Sequence, residues 1–66
     1  MNKLNCVIID DEIAGRIVLK ELLNFYFENI TILGEAKNIS EGYELITNSK
    51  PYLVFLDIQM PGCDVF

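Results

Sequence analysis

The chain has 66 residues, 52% of them hydrophobic, with ten acidic and five basic side chains and a formal net charge of −5. That length makes one small domain, and a chain this short buries only about 60% of the surface it exposes when unfolded, so a composition this apolar implies a core shared with something outside these residues. The acid excess leaves no basic patch for nucleic acid, and no apolar run approaches the ~20 residues of a membrane span.

Cys6 and Cys63 are too far apart in sequence to resemble a disulfide framework or a zinc site. They read as free thiols in a reducing compartment. Met1-Asn2-Lys3-Leu4-Asn5 leads into only four apolar residues and does not form a signal peptide. The expectation is a cytoplasmic protein without membrane contact.

Cys6-Val7-Ile8-Ile9 is a β-rich apolar run that stops at Asp10-Asp11-Glu12. It predicts a first strand over residues 4–10, buried on both faces because it does not alternate. Residues 13–28 read as a helix. Ile13, Ile17 and the apolar positions from Leu19 to Leu23 recur near a 3.6-residue period, with Arg16, Lys20, Glu21 and Asn24 on the solvated side. Phe25, Tyr26 and Phe27 are expected to pack into the core at the helix end, and Asp11 or Glu12 to cap its start. Residues 31–36 form a shorter, more polar strand suited to a sheet edge. Asn38 followed by Glu41 has the form of a capping box. It opens a helix over 39–48 with Ile39, Tyr43 and Ile46 on one stripe, ended before Pro51. Leu53-Val54-Phe55-Leu56 then runs into Asp57 as a third buried strand over 52–57, and Met60-Pro61-Gly62 turns the chain.

Strands alternating with helices imply βαβ units and an α/β fold with a parallel sheet. Crossovers of this kind are right-handed. With the polar second strand at an edge, the order is 2-1-3, and the reversal of winding puts one helix on each face. The switch point then lies at the carboxyl ends of the first and third strands, where open sheets of this type bind ligands. Asp10, Asp11 and Asp57 all fall there.

Three carboxylates in one crevice need compensation. Two unit charges ~5 Å apart at an effective dielectric of ~20 repel by about 3 kcal/mol. A hard divalent cation is the simplest answer, and Mg²⁺ is typically held by one or two carboxylates, waters and a phosphate. Asp57, alone on its strand, is the candidate nucleophile for an aspartyl-phosphate. Asp11 is the candidate direct metal ligand, and Asp10 the holder of a metal-bound water. The backbone carbonyl of Gln59 is a further candidate ligand, for which no particular side chain is needed.

Val7-Ile8-Ile9-Asp10-Asp11-Glu12, followed by Leu53-Val54-Phe55-Leu56-Asp57-Ile58-Gln59-Met60-Pro61-Gly62, resembles the receiver domain of two-component response regulators. Either motif alone is weak; the pair at this spacing is specific. The resemblance implies a partial flavodoxin-like (CheY-like) fold. It also implies a regulatory role in which Asp10, Asp11 and Asp57 bind Mg²⁺ and Asp57 accepts a phosphoryl group from a sensor histidine kinase. Receivers are longer than this chain. The Ser or Thr of their fourth strand and the Lys of their fifth are absent here, and Val65 stands where the family commonly has glycine. Residues 1–66 therefore read as the amino-terminal half of a receiver. The phrase from Asp57 to Gly62 is common in regulators with a LytTR-type DNA-binding output.

The competing reading is a metal-binding or protein-interaction fragment without phosphotransfer, forming a homodimer through the open edge of the third strand. A phosphohydrolase resembling the haloacid dehalogenase group would carry a second aspartate two residues after Asp57, where this chain has Gln59.

Overall fold

Seven residues from Leu4 to Asp10 form β1, the strand on which the other elements converge. The computed structural model describes residues 3–57. After β1 come α1 (Ile13–Tyr26), β2 (Ile30–Ala36), α2 (Ile39–Ser49) and β3 (Leu53–Asp57). The three strands make one sheet in the order β2-β1-β3, with both pairings parallel. This is the partial flavodoxin-like order expected. The Pro61-Gly62 turn, Gln59 and Cys63 lie outside the described residues.

Cys6, Val7 and Ile8 have no exposed surface, and Ile9 and Asp10 are also buried. Alternation along β1 sends Cys6 and Ile8 to one face, where they meet Leu19 and Leu23 of α1 with Ile30, Ile32, Leu53 and Phe55. Ile9 points to the other face. There an ideal Cβ on Gly42 of α2 would stand 2.5 Å from its terminal methyl, so the bare glycine lets helix and strand approach closely. One helix covers each face, so the β1 side chains from Cys6 to Asp10 are enclosed.

The β1–β2 register carries an irregularity that the alternation pattern hides. Cys6 pairs with Ile32, but Val7 pairs with Gly34, which leaves Leu33 as an extra residue on β2. Such a bulge shifts every following side chain to the opposite face. Ile30 and Ile32 face α1. Beyond the bulge, Gly34 lies against Leu45 of α2, and Glu35 is turned toward α1. That last reversal matters for the site.

The helix ends follow local chemistry. The Asn38 side chain accepts the Glu41 backbone N–H at 2.8 Å, forming the capping bond expected there. Lys50 closes α2 in a left-handed conformation, φ 49°, and its N–H bonds the Ile46 carbonyl. The start of α1 differs from expectation. Glu12 occupies the N-cap position, but its side chain makes no capping bond. The Glu12 backbone N–H donates instead to Asp10 Oδ1 at 2.9 Å. The shorter Asp10 side chain, anchored at the strand end, reaches that donor from two residues back.

Two packing expectations are corrected. Phe25, Tyr26 and Phe27 are 79%, 68% and 50% exposed, outside the core. They follow Leu23, the buried residue of α1, and the helix stops at Tyr26. The Ile39, Tyr43 and Ile46 stripe of α2 lines an open groove of about 290 Å³ with Ile9, Val54 and Leu56. Helix α2 packs on β1 and β2 rather than on β3, so β3, expected to be buried on both faces, leaves Val54 and Leu56 exposed.

Candidate functional site

Register decides where the carboxylates go. In the β1–β3 pairing the last matched residues are Asp10 and Asp57. Each is the final residue of its strand, so both stand at the carboxyl edge of the sheet. Asp11 and Glu12 follow at once and lead into α1. Asp10, Asp11, Glu12, Gly15 and Asp57 line one pocket of about 120 Å³. The structure thus brings Asp10, Asp11 and Asp57 together, and Glu12 joins them. Gln59 lies outside the described residues.

The acids are not equivalent. Asp10 is 8% exposed, while Asp11, Glu12 and Asp57 are open to solvent. A buried carboxylate needs hydrogen-bond partners, and Asp10 has the Glu12 N–H. Its Oδ2 lies against Gly15, where any Cβ would collide with it. Glycine in the first turn of α1 therefore leaves room for the Asp10 carboxylate between strand and helix. Among the described residues, no three acidic, cysteine or histidine side chains are already assembled around a single ion position. The donors lining the pocket are carboxylate oxygens, the kind Mg²⁺ takes, and Mg²⁺ needs only one or two of them because it keeps several waters.

Arg16, expected as a solvated helix residue, is anchored instead. Its side chain is 12% exposed. Nη1 donates to the Asp10 backbone carbonyl at 2.7 Å, and Nε donates to Glu35 Oε1 at 2.7 Å. Lys20 Nζ donates to the other Glu35 oxygen at 2.6 Å. Hydrogen bonds from Lys20 and then Arg16 hold the Glu35 carboxyl below its ordinary pKa. Burial pushes the Cys6 thiol up, in keeping with the inert, packed cysteine expected there. Sequence reasoning missed Glu35 because strict alternation puts it on the wrong face. The one available signal was an isolated acid in an otherwise uncharged strand.

Residues 6–64 match the family described as the response regulator receiver domain. The chain belongs to that family. Its relatives include an uncharacterized response regulatory protein of Shewanella oneidensis, 45% identical over 58 residues. A second is the sensory transduction protein LytT of Bacillus cereus, 40% identical over 57 residues. A third is the nitrate/nitrite response regulator protein NarL of Escherichia coli, 39% identical over 56 residues. These matches cover 88%, 86% and 85% of this chain but only 24%, 23% and 26% of the relatives. The receiver segment thus spans about a quarter of their length. No solved structure matches it significantly.

Membership places the chain in two-component signalling, in a regulatory role, with the β1-α1-β2-α2-β3 part of the CheY-like fold. No helix among the described residues is long and apolar enough to cross a membrane.

Proposed function

We propose that this receiver segment accepts a phosphoryl group on Asp57 in a Mg²⁺-dependent reaction with a sensor histidine kinase. One observation carries the reading most: the pairing of Asp10 with Asp57 at the end of the sheet, in a pocket that also includes Asp11. Residues 1–66 are read as the amino-terminal half of the receiver.

The roles follow from exposure and bonding. Asp57 is exposed, and a phosphodonor reaches its carboxylate without rearrangement of the strand. An Asp57 oxygen attacks phosphorus, a new O–P bond forms, and the bond from phosphorus to the donor's nitrogen breaks. Asp11, exposed at the turn, is the residue best placed to ligate a metal directly. Asp10, committed to the Glu12 N–H, holds the turn and would help hold the ion through its remaining oxygen. The backbone carbonyl of Gln59, which lies outside the described residues, would be a further ligand. Mg²⁺, when bound, supplies the charge that offsets the carboxylates and the incoming phosphoryl oxygens.

The test is incubation of the intact protein with a small phosphodonor, with and without Mg²⁺. The expected result is a hydroxylamine-labile adduct on Asp57 that forms only with Mg²⁺. An adduct of equal yield after chelation would contradict the proposal.

The exposed Val54 and Leu56 favour a second reading, in which β3 pairs with another copy of the chain without phosphotransfer. It predicts a concentration-dependent dimer by light scattering and no adduct; a monomer at all concentrations excludes it.

A further inference from the structure

We propose that Arg16 is a positioning residue for the acid pair, its guanidinium tying the Asp10 carbonyl to Glu35 of β2 and so fixing the Asp10–Asp11 peptide at the pocket. The inference rests on the reading of Asp10, Asp11 and Asp57 as a Mg²⁺ site.

A peptide group is planar. Fixing the direction of the Asp10 carbonyl therefore fixes the Asp11 N–H and the point from which the Asp11 side chain departs. Arg16 does this from α1, where its own N–H bonds the Glu12 carbonyl at 3.2 Å in the first helical turn. The guanidinium bonds both partners at 2.7 Å and is nearly enclosed. Its far anchor is fixed as well. The bulge at Leu33 turns Glu35 toward α1, and Lys20 holds the second Glu35 oxygen. The strand end, the helix start and the neighbouring strand meet in one side chain. A rigid planar fork makes two divergent bonds that a single ammonium cannot reproduce.

Geometry and charge predict opposite outcomes. Arg16 is a cation close to a cation-binding pocket. Were charge its only influence, removing it would tighten Mg²⁺ binding by relieving repulsion. Were positioning its role, removing it would weaken binding, as loss of groups that orient metal ligands does, by about 10–100-fold.

The experiment is calorimetric Mg²⁺ titration of the intact protein as wild type, Arg16→Met and Arg16→Lys. The carbonyl ¹³C resonance of Asp10 is recorded for each in the metal-free state. Both variants are expected to bind Mg²⁺ at least about tenfold more weakly, with the Asp10 carbonyl resonance shifted. Arg16→Lys keeps the charge, so it carries the test if Arg16→Met does not fold. Unchanged or tighter binding in a folded variant overturns the proposal, as does full rescue by lysine. If the wild type takes up no Mg²⁺, the reading of the pocket fails. In that case an Asp10 resonance unmoved by Arg16→Met overturns the positioning link, and a shifted one supports it.

Discussion

Asp57→Asn is expected to lower formation of the phosphoryl adduct at least about a hundredfold, because the group that forms the new bond has no substitute. The fold should not suffer. Asp57 is exposed at the end of β3, and asparagine keeps its shape while removing one of the like charges that crowd the pocket with Asp10, Asp11 and Glu12. Relief of that repulsion leaves the urea midpoint unchanged or raised. Radiolabel incorporation and urea unfolding on the same preparation check both halves. Residual labelling near wild-type yield would move the acceptor elsewhere. A large fall in midpoint would recast Asp57 as a structural residue.

The second large effect lies in the core. Ile8→Ala should destabilise the domain by about 2–5 kcal/mol, the usual range for removing a fully buried isoleucine side chain. Ile8 has no exposed surface and packs with Cys6, Leu23 and their partly buried neighbours on the α1 face. Small domains have about 5–15 kcal/mol in total, so a loss of this size takes a large share of the stability. Ile17→Ala is the control. Ile17 is 46% exposed, and its loss should cost well under half as much. Equilibrium denaturation of the two variants checks the ratio, and equal effects would mean that the core does not lie where β1 and α1 place it.

The sheet order was legible because a single property of the sequence decides it. The Cys6 to Ile9 run without alternation had to be enclosed on both faces, and the polar Thr31 to Ala36 strand did not; the same reading of Leu53 to Leu56 failed, because Val54 and Leu56 stay exposed. Once β1 is central, Asp10 and Asp57 meet by register, and the pocket follows. The Asn38 cap was equally readable, since its chemistry is local to four residues. Arg16 and Glu35 were not legible. Their meeting depends on one extra residue at Leu33, and no period in a stretch this short announces a bulge. The aromatic run at the end of α1 was misjudged for another reason. Hydrophobicity indicates that a side chain gains from burial; it does not show that the sheet extends far enough to cover it. Phe25 and Tyr26 instead pack edge to face on each other, with ring centroids 4.8 Å apart.

The proposed site requires Asp11, from the β1 end, and Asp57, from the β3 end, to act together. It is tested most directly by following backbone amide resonances of the intact protein through a Mg²⁺ titration. Asp11 and Asp57 are expected to shift together along one binding curve, and Asp11→Asn to abolish both shifts. Separate midpoints for the two residues, or a response confined to one of them, would contradict it.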